Sequence, residues 1–166
     1  MRLHRYGLLF VTLIIVCVLG GCDTDNNDDE VESTNLADVK VQGIQLGSSR
    51  DELIHAFGKP DFVEKIKQPK STYYIYGETS ESYDIDFKVV DDQVKRYFMT
   101  KDIFENTYSH LIGQKKADVL RQVGDHYYER QDTGADVMGY SDKEHNRNIE
   151  FIFEGNVVLG ILVSSI

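Results

Sequence analysis

Two carboxylates, Asp84 and Asp86, stand two residues apart in a segment where polar and apolar residues alternate. Successive side chains of a β-strand point to opposite faces, so this spacing places both carboxylates on one face of a predicted strand. Paired carboxylates are the catalytic groups of glycoside hydrolysis, in which one acts as an acid and the other as a base or nucleophile. The alternative is the solvated face of a strand, which the surrounding sequence favours.

Other catalytic patterns are missing from the sequence. It contains no Gly-x-Ser-x-Gly, no His-Glu-x-x-His and no glycine-rich phosphate loop. The four histidines that follow Cys22 lie in separate segments without metal-ligand spacing: His55, His110, His126 and His145. We therefore expect a protein that is not an enzyme and that holds neither a metal nor a cofactor.

A cysteine at position 22 closes an apolar segment that has a basic start. Arg2 and Arg5 precede the apolar residues 8–19, and two glycines stand directly before Cys22. This layout is typical of an exported signal peptide. The uninterrupted apolar stretch is shorter than the roughly 20 residues that a membrane-spanning helix needs. The sequence thus favours a cleaved segment over a retained anchor.

The four residues Leu19-Gly20-Gly21-Cys22 resemble the lipobox of bacterial lipoproteins. The resemblance implies that residues 1–21 are removed as a signal peptide and that Cys22 receives a diacylglyceryl group. Two or more acyl chains hold a protein durably on a membrane. We therefore expect a lipid anchor at Cys22 and a location on the outer face of the bacterial cytoplasmic membrane. The outer membrane is the less favoured location for a lipid anchor, and a retained transmembrane helix and free secretion are the alternatives to such an anchor.

The charge of the chain argues against nucleic acid as a partner. All 28 acidic residues follow Cys22, whereas two of the 18 basic residues precede it, so the chain from Cys22 onward carries a formal charge of about −12. Such a surface lacks the basic stripe that neutralises phosphates. With Cys17 in the predicted signal peptide and Cys22 bearing lipid, no disulfide forms, and the fold depends on packing alone.

Residues 22–35 are predicted to form an acidic flexible tether. This stretch contains six acids and no base, and it has too few apolar side chains to bury a core. Its alternating oxygen ligands hint at a calcium loop, but Asp28 occupies the position that requires glycine, and Thr34 occupies that of the bidentate glutamate. The sequence therefore favours a solvated linker between the membrane and the folded part.

The chain is similar to itself at an offset of 66 residues. Residues 46–58 align without a gap on residues 112–124, and the same offset relates later apolar and aromatic positions, among them Tyr74 with Tyr140, Ile85 with Phe151 and Phe87 with Phe153. A shared pattern of this length predicts two copies of one supersecondary unit. We assign the first α/β repeat to residues 36–103 and the second to residues 104–166.

A short helix opens each predicted unit. Ser49 and Glu52 have the spacing of a capping box, and Gly58 is placed to end the first helix. In the second copy, Gln114 and Lys115 replace the capping hydroxyls. The helices present apolar stripes to a sheet, without which such short helices are marginal.

Strands with alternating polarity follow each helix. We predict strands at residues 73–76, 83–90 and 94–99 in the first unit and at 137–140, 148–154 and 157–163 in the second. The expected fold is α+β, with two tandem units, each a short capped helix packed on an antiparallel sheet of about three strands.

The capped helix carries a family resemblance. Residues 47–53, Gly-Ser-Ser-Arg-Asp-Glu-Leu, followed by Phe57-Gly58-Lys59-Pro60, resemble the signature of the SmpA/OmlA (BamE-like) lipoprotein domain. The tandem arrangement and the tyrosine-bearing strand resemble beta-lactamase inhibitor protein. These resemblances imply an envelope-assembly or inhibitor-like role, with a concave sheet face turned away from the helices. In the second copy Asp125-His126 stands in place of Lys59-Pro60.

The resemblance and the ten tyrosines together suggest an interaction face. Tyrosine offers a large contact area with a polar tip, which enriches it at interfaces. The candidate face comprises Tyr74, Tyr76, Asp84, Asp86, Tyr140 and Glu150. The sequence alone does not determine which side of the tyrosine-bearing strand points outward. The expected partner is an unidentified envelope or secreted protein; the alternative is a lipoprotein that binds cell wall, cations or a small ligand.

Overall fold

Two short α-helices and eight β-strands are the regular elements of residues 31–166, the part of the chain that this computed structural model describes. A 3-10 turn at Ser109–Leu111 lies between the two halves. In chain order the elements are α1 (Arg50–Phe57), β1 (Phe62–Lys67), β2 (Lys70–Gly77), β3 (Tyr83–Val90), β4 (Gln93–Met99), α2 (Lys116–Val123), β5 (Tyr128–Asp132), β6 (Ala135–Asp142), β7 (Arg147–Glu154) and β8 (Val157–Ser164).

The prediction of two tandem α/β units, each with its own sheet of about three strands, is wrong. All eight strands form one continuous antiparallel sheet in the order β1-β2-β3-β4-β8-β7-β6-β5, and the structure is mostly β. The two halves join where residues 96–99 of β4 pair with residues 161–164 of β8. This pairing satisfies the backbone groups that two separate sheets would each have left open at an edge.

Two strands were missing from the sequence prediction, and both lie at the edges of the sheet. Every residue of β1 is exposed, as are four of the five residues of β5. Edge strands with charged side chains on both faces lack the alternation by which half-buried strands are recognised. The six predicted strands are all present, and β3 has the predicted bounds.

The predicted capping box of α1 is confirmed. The Ser49 hydroxyl accepts a hydrogen bond from the Glu52 backbone N–H at 3.2 Å, and the Glu52 carboxylate accepts one from the Ser49 backbone N–H at 2.7 Å. Gly58 ends the helix with a φ of 79°, a conformation that favours glycine. At α2 the N-cap is Lys115, which supplies no side-chain hydrogen bond, and only the reciprocal bond to Asp118 remains, at 3.1 Å.

Both helices pack on the same face of the sheet. Leu53 of α1 and Val119 of α2 are fully buried in a single core. The sheet contributes to this core the side chains of alternate positions, among them Ile85, Phe87, Tyr97, Met99, Ile149, Phe151, Ile161 and Val163. The opposite face of the sheet carries no helix among residues 31–166, and neither helix there is long and apolar enough to cross a membrane.

The N-terminal segment, residues 33–37, is tied to the far half of the sheet. The Leu36 N–H donates to Oδ2 of Asp142 at 2.6 Å, and the Arg147 guanidinium donates to the carbonyls of Leu36 and Ala37 at 3.1 and 2.7 Å. The Ser33 hydroxyl accepts a backbone N–H bond from the turn after β6 at 3.1 Å. Residues 33 and 34 of the predicted tether are therefore held against the sheet. The predicted signal peptide, Cys22 and the tether through residue 30 lie outside the described residues.

Two tyrosines make the same contact at the ends of the two helices. The Tyr76 hydroxyl donates to the carbonyl of Gly58 at 3.1 Å, and the Tyr140 hydroxyl donates to that of Gly124 at 2.9 Å. The counterpart of Tyr140 is therefore Tyr76, whereas the offset of 66 residues pairs it with Tyr74. The offset does not continue into the strands, because the stretch between α2 and Tyr140 is two residues shorter than that between α1 and Tyr76.

Candidate functional site

The helix-free face of the sheet, which we call the open face, is defined by the strand register. Directly paired residues of an antiparallel sheet share a face. Asp86 pairs with Ile75 and Phe98, and its neighbours in β3 point into the core, so its side chain lies on the open face. One row crosses all eight strands through the residues Phe62, Ile75, Asp86, Phe98, Leu162, Glu150, Gly139 and Tyr128.

The structure divides the six predicted face residues between the two sides of the sheet. Tyr74, Tyr76 and Tyr140 lie on the helix-packed side, where Tyr140 is fully buried. Burial raises the pKa of Tyr76 to about 12. The hydroxyls of Tyr76 and Tyr140 bind the backbone at the helix ends. None of the three tyrosines shares a surface with Asp86 and Glu150. Only the strand register decides on which face of the sheet these tyrosines lie, because a shift of the pairing by one residue moves every side chain of a strand to the opposite face.

Glu150 is a buried carboxylate whose donors all come from its own chain. Its Oε1 accepts hydrogen bonds from the Tyr128 hydroxyl at 2.8 Å and from Nε of Arg130 at 2.8 Å, and its Oε2 accepts one from Nη2 of Arg130 at 2.7 Å. The hydrogen bond to Glu150 raises the pKa of Arg130. The Tyr128 ring crosses Gly139 so closely that a Cβ there would lie 2.1 Å from it. At this end of the open face, the Glu150 carboxylate is thus fully paired by side chains of the same sheet.

Asp86 is buried to the same extent but is incompletely paired. The residue is 3% exposed, and its Oδ1 has no hydrogen-bond partner. Arg96 approaches the other oxygen, with 3.7 Å between Nη2 and Oδ2. Burial is the main cause that raises the pKa of Asp86, and the nearby Glu64 adds to it, while Arg96 and Tyr83 act in the opposite direction. A buried carboxylate with one oxygen left without a hydrogen bond is costly, so this position is a candidate for function.

A surface depression of about 330 Å³ lies over this carboxylate, and we call it the Asp86 cleft. The rings of Tyr73 and Tyr83 form part of its walls. The Arg96 guanidinium lies 5.9 Å from the ring centre of Tyr73, and the ring centres of Tyr83 and Phe98 lie 6.3 Å apart in an edge-on contact. Its lining consists of Glu64, Ile66, Tyr73, Ile75, Ser80, Tyr83, Asp86 and Arg96.

Asp84 does not join Asp86 in this cleft. It lies at the irregularity where β2 and β3 change register, and its backbone carbonyl accepts the Thr100 N–H at 2.9 Å. The second carboxylate that acts on Asp86 is Glu64 of β1, which the sequence analysis missed together with the strand that carries it. Among residues 31–166, no group of three or more His, Cys, Asp or Glu side chains is arranged to hold a metal ion.

Apolar side chains are exposed along β1, next to the cleft. Phe62 and Ile66 are 37% and 42% exposed and share the open face with Ile75, whereas Val63, 48% exposed, lies on the other side of the strand. Exposed apolar groups beside polar ones are characteristic of protein interaction sites.

Comparisons with known proteins show a shared fold. No protein-family model and no curated protein matches the sequence. An extracellular protein containing an SCP domain from Bacillus anthracis is 13% identical, with a TM-score of 0.54 over 81% of this chain and 48% of that one. A cysteine-rich secretory protein from Staphylococcus aureus is 14% identical, with a TM-score of 0.51 over 84% of this chain and 48% of that one. The chain spans about half the length of these two proteins.

The expected likeness to beta-lactamase inhibitor protein is found only at a low level. A protein from Streptococcus mutans that is provisionally described by that name is 15% identical, with a TM-score of 0.32 over 84% of this chain and 97% of that one. A score of this size supports no argument about function.

Proposed function

We propose that this protein is a lipid-anchored, non-enzymatic component of the bacterial cell envelope that binds another protein through its open face. The observation that carries the proposal is a sheet face on which residues 31–166 place no helix and on which exposed apolar side chains border a buried and incompletely paired carboxylate. Interfaces combine an apolar centre with aromatic and arginine side chains, and this face has that composition.

The location follows from the sequence at Cys22. The described domain supplies the binding surface, and the lipobox-like segment supplies the attachment to the outer face of the membrane. The two solved proteins with TM-scores above 0.5 are described as extracellular and secretory, which agrees with an extracytoplasmic location.

Fatty-acid labelling of the expressed protein tests the anchor. We expect Cys22→Ser to abolish labelling and to leave the precursor unprocessed, whereas Cys17→Ser, within the same segment, leaves both unchanged. Labelling that persists in the Cys22 variant would refute a lipid anchor at Cys22. It would not bear on the proposed interaction of the open face.

Crosslinking in the envelope of the source organism, followed by capture of the full-length chain, tests the interaction. Ile66→Glu places a charge on the open face, and Val63→Glu places the same charge on the other side of the same strand at similar exposure. We expect Ile66→Glu to reduce the captured partner several-fold and Val63→Glu to leave it unchanged. Equal capture by all three proteins would exclude the open face as the binding surface.

The alternative function is binding of a cation, a cell-wall fragment or another small ligand, and the Asp86 cleft is the feature that favours it. Any ligand that binds only the native state raises the unfolding temperature. A rise caused by calcium or by wall fragments, lost in Asp86→Asn, would favour this alternative.

A further inference from the structure

We propose that the Asp86 cleft receives an arginine side chain of the partner protein, whose guanidinium completes the hydrogen bonding of Asp86. This inference rests on the proposed function, because it names the chemistry by which the open face recognises its partner. The two buried carboxylates of the open face, Glu150 and Asp86, differ in their hydrogen bonding, and this difference supports the inference.

Glu150 shows what complete pairing requires in this sheet. Glu150 of β7 pairs with Gly139 of β6, and Gly139 pairs with Tyr128 of the edge strand β5. Two residues further along β5, Arg130 reaches back over Val137 to bind both carboxylate oxygens. The edge strand thus donates one hydroxyl and one guanidinium to the carboxylate.

The edge strand on the side of Asp86 donates neither group. Asp86 of β3 pairs with Ile75 of β2, and Ile75 pairs with Phe62 of the edge strand β1. A phenyl ring without a hydroxyl therefore occupies the position on β1 that Tyr128 occupies on β5. Two residues further along β1, Glu64 takes the position that Arg130 has on β5. An acceptor therefore replaces the donor, and the cleft has two carboxylates.

Arg96 does not supply the missing donors. Its guanidinium makes a single 3.7 Å contact with Oδ2 of Asp86 and lies over the ring of Tyr73, and Oδ1 is left without a partner. Asp86 and Glu64 together with Arg96 leave one negative charge in the cleft. Because the contact of Arg96 is long, an incoming group can displace it at the loss of one weak ion pair.

Arginine fits this environment better than other cationic side chains. Its planar guanidinium has five N–H donors, enough to serve Asp86 and Glu64 together, and it stacks on aromatic faces such as those of Tyr73 and Tyr83. The ammonium of lysine has neither the planar fork nor the stacking surface. The same chain already uses an arginine for the equivalent task at Glu150.

A titration followed by NMR tests the proposal on the full-length protein in detergent micelles. The probe is N-acetyl-arginine N-methylamide, which presents the side chain as it occurs within a protein, and the control is the citrulline analogue, a neutral isostere. We expect the arginine probe to shift amides of β2, β3 and β4 around the cleft and to bind about tenfold more tightly than the citrulline probe.

Two matched variants locate the binding. Asp86→Asn should weaken the arginine probe about tenfold, whereas Asp84→Asn, which removes the same charge from the same strand outside the cleft, should leave its affinity unchanged. Equal binding of the two probes, or an Asp86→Asn protein that binds like the wild type, would overturn the proposal. So would a captured partner that Ile66→Glu loses and Asp86→Asn retains, and that result would leave the proposed function standing.

Discussion

The two buried carboxylates of the open face differ in what they do for stability. Glu150 accepts three hydrogen bonds from Tyr128 and Arg130, whereas Oδ1 of Asp86 accepts none. A buried polar group with its partners in place stabilises a fold, and one without them destabilises it. We therefore expect opposite changes in the free energy of unfolding when the negative charge is removed from Asp86 and from Glu150.

Asp86→Asn should raise the free energy of unfolding at pH 7, and Glu150→Gln should lower it by about 2 kcal/mol. Because the folded-state pKa of Asp86 is raised, the contribution of Asp86 to wild-type stability falls as the pH rises from the unfolded-state pKa, about 3.9, through the folded-state value. Asp86→Asn should lack this part of the decline. Urea unfolding between pH 4 and pH 8 measures both effects, with Asp84→Asn as the control.

A wild type that is more stable than Asp86→Asn at pH 7 would mean that Arg96 already compensates the carboxylate. In that case the cleft would be a finished ion pair, and its use as a receptor for a guanidinium would lose its main support.

The elements of the sheet were recognisable from the sequence where one face is buried. β3 alternates so regularly that Ile85 and Phe87 indicate both its bounds and its core face. β1 and β5 carry no such signal because all residues of β1 and all but Tyr128 of β5 are exposed. Since Glu64 and Arg130 belong to these edge strands, the groups that distinguish the two carboxylates could not be placed from the sequence.

The helix starts offer a prediction at the element scale. Ser49→Ala should cost about 1 kcal/mol, because the hydroxyl cap of α1 is lost. Lys115→Ser should stabilise the protein by about 0.5 kcal/mol, because the extended backbone of this N-cap suits a hydroxyl and the lysine supplies no cap. Thermal unfolding of the two variants and of Ser49→Thr, which keeps the hydroxyl, measures the difference. A destabilising Lys115→Ser would show that this lysine has another role at α2.

At the scale of the whole molecule, the sheet has one unbroken row of paired strands, and the two helices of the described residues lie on one side of it. The sequence indicated the helices, six strands and the alternation, but not the pairing of β4 with β8, since pairing between distant strands leaves no local pattern. For the same reason Tyr74, Tyr76 and Tyr140 were grouped with Asp86 and Glu150, although they lie on the other side of the sheet. The register supplies the missing information.

The attachment of the N-terminal segment makes the whole fold sensitive to acid. Burial alone would raise the pKa of Asp142, but hydrogen bonds from the Leu36 and His145 N–H groups, together with the His145 side chain, lower it overall. This contribution to stability is therefore complete above a pH of about 4 and is lost as the pH falls through the folded-state pKa. Asp142→Asn should destabilise the protein at pH 7 and flatten this acid-induced loss.

Unfolding midpoints between pH 2.5 and pH 7 test this prediction, with Asp136→Asn in the same strand as the control, since that side chain is exposed. An Asp142→Asn protein that keeps the full acid-induced loss would assign it to other carboxylates.

The same attachment limits how far the domain can travel from a membrane. Ser33 is held by its hydrogen bond to the turn after β6, and eleven residue steps separate it from Cys22. A chain extends by at most about 3.5 Å per residue, so these steps span no more than about 40 Å. With Cys22 held in lipid, as we propose, the point at which the domain is attached stays within that distance of the bilayer surface. A partner of the open face must therefore lie close to the same membrane.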